Sequence, residues 1–198
     1  LDGGAYGAMI LVDDCTSGTT AQIPVQLLVG GAVTVHSWDM SSDPGWEMDP
    51  LWAWGVPQSG GGEHGHPDPA SGATGSCVLG YNLEGDYENL LPCLSATTGP
   101  IDCSNLSGTS LRFMRWLGVQ VNGFDEAAIL ASTDMKEWST VWSNAEVYMD
   151  QSDSEWVEVE YDISDLADGE PCVYLRWVMG PTNDGWRFCG WNIDDVEI

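Results

Sequence analysis

Val157, Val159, Tyr161 and Ile163 alternate with Glu158, Glu160 and Asp162, the clearest period-two stretch of the chain. Such alternation predicts a half-buried β-strand. The stretch Leu111-Arg112-Phe113-Met114-Arg115-Trp116-Leu117 reads the same way. Ala127 to Ser132 and Trp138 to Trp142 flank Thr133-Asp134-Met135-Lys136-Glu137, a predicted hairpin. Cys172 to Met179 and Gly190 to Ile198 complete the set. No segment carries a sustained apolar stripe at helical spacing. Strands at short intervals without helices predict an all-β fold, an antiparallel two-sheet β-sandwich with long loops.

Upstream the texture changes. Ala8 to Val12 is a short apolar run that stops at Asp13-Asp14, and Ile23, Val25, Leu27 and Val29 form a second alternating stretch. Pro24 near its start suits an edge strand. Residues 1–36 are therefore expected to be an extended N-terminal segment. It completes the sheet of the domain at 37–198, trails from a preceding domain, or pairs with another molecule. Residues 37–105 have few periodic runs and are expected to be loop-rich, with loops pinned by ions, disulfides or function.

Composition narrows the partners. The 31 acidic residues face 5 basic ones, a net charge of −26. Phosphate surfaces need Lys and Arg, so nucleic acid is excluded as a partner, and insertion into a membrane has no apolar run to support it. Solubility in a salty medium and calcium binding both account for the surplus. The 198 residues suffice for a real core, since about 70% of the unfolded surface of such a chain is covered on folding. The chain begins at Leu1 without an initiator Met or a signal peptide, as a processed product or an excised piece would. Six cysteines with no CxxC pair suit an exported, disulfide-bonded protein, and six allow 15 pairings.

The stretch GGGEHGHPDP, residues 60–69, concentrates Glu63, His64, His66 and Asp68. Neither HExxH nor GxSxG occurs, and the only other histidine is His36, so Glu63, His64 and His66 read as loop decoration and no catalytic residue is expected. Asp68, fixed between two prolines, reads equally as a rigid turn or as a preorganised oxygen ligand for calcium. Asn82 and Asp86, in a stretch bent at Gly80 and Gly85, read as turn-stabilising side chains or as a second oxygen-rich cation loop. Asp134 sits where an Asp-box would place its aspartate, but Lys136 replaces the glycine, which leaves a hairpin turn. Arg112, Arg115, Arg176 and Arg187 lie close to Trp in sequence and are expected to stack on rings or pair with Asp.

Several strings then point to a family. GHPDPASGATGSCVLGYNLEGDYENL at 65–90, IDCS at 101–104, LRFMRWLGV at 111–119, STDMKEWSTVW at 132–142, VEYDIS at 159–164, VYLRWVMG at 173–180 and FCGWNIDDVEI at 188–198 occur in order. From about Asp39 onward the chain resembles a C-terminal accessory domain of secreted bacterial peptidases and surface proteins, related to the cleaved-adhesin domains of gingipain-type proteases and to MAM domains. The resemblance implies a galactose-binding-like jelly roll, extracellular and non-catalytic, holding structural Ca²⁺ between the first strand and the terminal acidic pair. Asp39, Asp194 and Asp195 are the ligands expected at that junction, because neighbouring strands would bring carboxylates together that repel without a cation. Cys103 and Cys189 lie in family-like strings and are expected to pair. Cys77 with Cys93 would clip a loop, and Cys15 with Cys172 would tie down the N-terminal segment. Trp46, Trp52 and Trp54 are candidates for stacking on a ligand. The implied function is a calcium-stabilised binding or adhesion module of a larger secreted or surface protein, with a glycan or protein ligand at the cell surface or matrix. The alternative is a self-assembling subunit of a surface layer or filament that uses residues 1–36 for strand addition.

Overall fold

The computed structural model describes residues 4–14 and 16–198. The chain divides into two compact units, Leu1–Thr34 and Val35–Ile198.

The first unit is a β-hairpin. Strand β1 (Gly4–Asp14) pairs antiparallel with β2 (Thr19–Val29), Ile10 opposite Ile23 and Ala8 opposite Val25. The turn between them is held by Asp14, which accepts from the Thr16 N–H and the Ser17 hydroxyl. The pairing extends the second strand back to Thr19, beyond what apolar alternation marks, because Thr19, Thr20 and Gln22 are polar and contribute through the ladder. Directly opposed residues share a face. One face thus carries Ala8, Ile10, Val12, Ala21, Ile23 and Val25, and Ile10, Val12 and Ile23 are each roughly half exposed.

The second unit is an all-β sandwich of two antiparallel sheets. The elements are β3 (Ser37–Trp38), β4 (Glu47–Met48), β5 (Trp52–Gly55), β6 (Val78–Tyr81), β7 (Leu94–Thr97), β8 (Ser110–Val119), β9 (Ala127–Ser132), β10 (Ser139–Ser143), β11 (Gln151–Ser152), β12 (Val157–Asp162), one helical turn α1 (Ser164–Ala167), β13 (Tyr174–Met179) and β14 (Gly190–Glu197). One sheet runs β10-β9-β13-β7-β4. The other runs β11-β8-β14-β6-β5, with β12 also on β8 and β3 on β14. The predicted strands on β8 to β14 stand where the alternation put them, and β9 and β10 form the expected hairpin around Asp134, which accepts from the Lys136 and Glu137 N–H groups.

Core residues come from the inward faces. β8 alternates strictly, with Leu111, Phe113, Arg115 and Leu117 inward, and β13 does the same with Leu175, Trp177 and Met179. Trp177 stacks on Trp46 with centroids 5.2 Å apart and meets the edge of Phe113 at 5.5 Å. Trp52 packs edge-on against Tyr81. Trp46 and Trp52 are therefore core residues, and the expectation that they stack on a ligand is corrected. Trp54 is half-buried and donates to the Met40 carbonyl. Short strands β4 and β5 pull these rings inward, and such short strands leave no periodic trace.

The arginines behave as their scarcity suggests. Arg176 lies over the Trp138 ring at 3.8 Å, Arg115 pairs with Asp153, Arg112 with Glu197, and Arg187 with Glu63.

The disulfide expectations fail among the described residues. Cys77, Cys93, Cys103, Cys172 and Cys189 are all free thiols. Cys103 exchanges backbone bonds with Gly169 and Glu170, beside Asp168, which receives the Gly108 and Thr109 N–H groups just before β8. Cys189 lies against Gly118 near the far end of β8. About eight strand residues, or ~26 Å, separate those ends, far beyond the span of a disulfide. Cys77 leads into β6 and Cys93 into β7, which belong to opposite sheets. The proposed partner of Cys172, Cys15, lies outside the described residues. No helix among the described residues is long and apolar enough to cross a membrane.

Candidate functional site

β14 explains where the polar residues gather. It lies mid-sheet between β8 and β6, and residues 190–194 are all buried. Successive side chains on a strand face opposite ways. Trp191 and Ile193 join the core, with Trp191 edge-on to Trp142. Asn192 and Asp194 therefore face outward, and the long 59–75 loop covers them. Asp68 and Thr74 of that loop make the contacts.

At the Asp194 end, the Thr74 N–H donates to Oδ2 at 3.1 Å and the Asp195 N–H to Oδ1 at 2.9 Å. The Thr74 hydroxyl donates to Asp195 Oδ1. Gly72 is required here, since a Cβ would come within 2.6 Å of Asp194 Oδ2. Burial pushes the Asp194 carboxyl up to about 6, against the pull of the N–H donors. β3 pairs with β14 through Trp38 and Val196, so the first sandwich strand does lie beside the last. Asp39 follows β3 but turns on itself, its Oδ1 accepting from the Ser41 N–H and hydroxyl, which hold its carboxyl below the usual range. Beside it, an open groove of about 370 Å³ is lined by Trp38, Asp39, Thr74, Arg112, Asp195 and Glu197 among others. The fit to a buried calcium is poor at this junction: Asp194, its one buried carboxylate, has both oxygens taken by N–H donors.

At the Asp68 end the balance is reversed. Asp68 is 2% exposed and Asn192 fully buried. Asn192 Nδ2 donates to Asp68 Oδ1 at 2.8 Å. Asp68 Oδ2 and Asn192 Oδ1 are buried acceptors with no hydrogen-bond partner among the described residues. Burial pushes the Asp68 carboxyl up to about 7, and the nearby negative charge of Asp86 adds to the rise. Asp86 itself anchors the loop, accepting from the Gly62 and Glu63 N–H groups at 2.8 and 2.9 Å. Gly61 allows that approach, because a Cβ would fall 2.3 Å from Asp86 Oδ1. Asn82 holds the Asp86 carbonyl through Nδ2. The structure thus brings Asp68, Asp86 and Asn82 into one neighbourhood and adds Asn192, while Asp39, Asp194 and Asp195 form a separate one. Among the described residues no three His, Cys, Asp or Glu side chains are grouped to hold a metal ion.

The same loop builds a surface feature. Residues 63–66 run beside 186–188: the His64 N–H donates to the Arg187 carbonyl, and Arg187 Nε donates to Glu63 at 2.9 Å. The His64 ring stacks on Trp186 with centroids 4.8 Å apart and planes 8° from parallel. Trp186 stays 51% exposed. Nearby, the His66 N–H donates to the Ser152 hydroxyl, and Trp116 Nε1 to the Pro67 carbonyl, with Trp156 edge-on to Trp116. His64, expected to be decoration, is thus the inner layer of an aromatic rim, while His66 contributes its backbone N–H. Trp186 escaped the sequence reading, though its neighbours Asn183-Asp184-Gly185 mark an exposed turn.

No family model and no curated protein sequence matches the chain. Among solved structures, the chain aligns with one reported for the promiscuous specificity of carbohydrate-binding modules from the β-sandwich superfamily, at 13% identity and TM-score 0.43, over 98% of this chain and 74% of that one. It also aligns with the K3 cleaved adhesin domain of Lys-gingipain from Porphyromonas gingivalis, at 13% identity and TM-score 0.46, over 83% of this chain and 98% of the other. The K1 domain of the same protein aligns at 12% identity and TM-score 0.44, over 84% and 97%.

Proposed function

We propose that the chain is an extracellular, non-catalytic binding module, stabilised by calcium, that takes a glycan on the rim around Trp186. The observation that carries the reading is the half-exposed Trp186 ring held flat on His64 beside the Glu63–Arg187 pair. A sugar offers C–H groups on its face and hydroxyls at its edge. An indole fixed by a stacked partner meets the face without losing rotamer freedom on binding. The carboxylate and guanidinium beside it suit paired hydroxyls.

Titration with a panel of soluble polysaccharides, read by Trp fluorescence, tests this. Trp186→Ala is expected to weaken binding about tenfold or more, since one stacking ring is worth ~1.5 kcal/mol, with an unchanged melting midpoint. Binding of a protein ligand but no glycan, equally lost in the variant, would replace the glycan with a protein partner. Unimpaired glycan binding by the variant would move the site elsewhere.

The hairpin favours a second reading, self-assembly. A lone two-stranded ribbon is marginal in water, and its Ala8, Ile10, Val12, Ile23 and Val25 face asks for a cover. A second copy would supply one. Light scattering is expected to show oligomers that become monomers when residues 1–34 are deleted. A monomeric full chain would end this reading and leave the module.

A further inference from the structure

Two buried acceptors point at a ligand that the protein's own donors do not supply. Asp68 Oδ2 and Asn192 Oδ1 belong to groups already joined by the Asn192 Nδ2–Asp68 Oδ1 hydrogen bond, so the two unpartnered oxygens belong to adjacent groups. Both residues are rigidly placed. Asp68 lies between Pro67 and Pro69 and donates its N–H to the Gly60 carbonyl. Asn192 lies on β14, paired with Gly80 on one side and Trp116 on the other. Gly80 is packed closely here, since a Cβ would stand 2.4 Å from the Leu83 methyl and 2.9 Å from Asn192 Oδ1. Leaving such acceptors bare is costly, and Asp86 adds a second negative charge to the same neighbourhood. The nearby arginines are engaged elsewhere, Arg115 by Asp153 and Arg187 by Glu63.

We infer that Asp68 Oδ2 and Asn192 Oδ1 are ligands of a buried calcium ion beneath the 59–69 loop, with Asp86 providing the second negative charge. The donor set selects the ion. A carboxylate and an amide oxygen are hard ligands, suited to Ca²⁺. Mg²⁺ demands a near-ideal octahedron, whereas Ca²⁺ accepts an irregular oxygen set such as a loop and a strand edge provide. Cys189 stands close by, but its Sγ is turned to the Gly190 carbonyl. The ion would fix the strand that carries Asn192 to the loop that carries Glu63 and His64, and so hold the aromatic rim in place. This inference rests on the calcium part of the function proposed above, and it moves the ion away from the junction of Asp39, Asp194 and Asp195.

The experiment counts calcium bound per chain by equilibrium dialysis of metal-stripped protein and follows the melting midpoint with and without millimolar Ca²⁺. Wild type, Asp68→Asn and Asp195→Ala are compared. The expected result is that Asp68→Asn loses one bound equivalent and the calcium-dependent rise in midpoint, while Asp195→Ala keeps both. Calcium bound equally by Asp68→Asn and wild type would overturn the placement and leave the calcium reading standing. No calcium bound by wild type, with Asp68→Asn melting higher than wild type in either condition, would overturn both and mean that a proton fills the site. Should Asp68→Asn fail to fold, Asn192→Asp carries the test. Its added charge should enlarge the calcium-dependent rise, and an unchanged response would overturn the placement.

Discussion

Trp177→Ala is expected to lose about 4–5 kcal/mol of stability, at the upper end of what a single core truncation costs. Trp177 is fully buried on β13, the middle strand of its sheet. Its ring stacks on Trp46 and receives the edge of Phe113 across the sandwich, so it joins the two sheets and the loop-borne β4 at one point. Removing a buried Trp costs ~3–5 kcal/mol in lost transfer and cavity, and aromatic pairs add ~0.5–1.5 kcal/mol each. Domains commonly have only ~5–15 kcal/mol in hand. At this chain length each kcal/mol moves the midpoint by ~2–4 °C, so a drop of ~8–20 °C is expected. Urea unfolding at constant m-value would measure it. A loss under ~2 kcal/mol would mean that Trp46 and Phe113 close the gap and that the ladder of rings is not the centre of the core.

Asp153→Ala is expected to cost nearly as much, for a different reason. Arg115 points inward from β8, and its guanidinium meets Asp153 through Nε at 2.9 Å and Nη2 at 3.1 Å. The two side chains are only 11% and 9% exposed. Asp153 Oδ2 also accepts the Leu117 N–H. Truncating Asp153 strands a cation inside the protein, which costs ~3–5 kcal/mol. The double variant Arg115→Met with Asp153→Leu should recover most of that loss, because the penalty lies in the unpaired charge rather than in the absence of the pair. Added salt should change neither result much, since a buried pair is little screened. The exposed pair Arg112–Glu197 provides the contrast, and Glu197→Gln should lie within ~1 kcal/mol of wild type. Denaturant melts of the four proteins would check all of this, and a near-neutral Asp153→Ala would show that Arg115 finds water or another carboxylate.

What could be read in the sequence depended on how each strand is covered. β12 is covered on one face only, so Val157 to Asp162 alternate visibly and the strand was legible to the residue. The inward rows of β8 and β13 showed for the same reason. β14 is covered on both faces, and alternation there has no solvent side to report. Asn192, between Trp191 and Ile193, reads as an outward polar residue, whereas a loop from more than a hundred positions upstream seals it. Trp46 and Trp52 misled for the converse reason. They lie in a region rich in turns, but a two-residue and a four-residue strand suffice to turn their rings into the core. Prolines and glycines marked Asp68 and Asp86 as candidates in the sequence. That they share a neighbourhood, apart from Asp194, follows from the loop path, which no spacing encodes. Cysteine count pointed to disulfides that the sheet assignment separates, because pairing depends on which end of which sheet a residue occupies.

The pairing of β3 with β14 has a mechanical consequence. The chain enters the sandwich at Val35 and leaves it at Ile198, and these points are joined directly: the Val35 and His36 N–H groups donate to the Ile198 carbonyl, and the Ile198 N–H returns to His36. Tethers attached at those two points would emerge from one pole and load the antiparallel pair from its end. Tension would then part the ladder one hydrogen bond at a time, instead of shearing all of its bonds together. Pulled this way, the short pairing of β3 with β14 is the first to part.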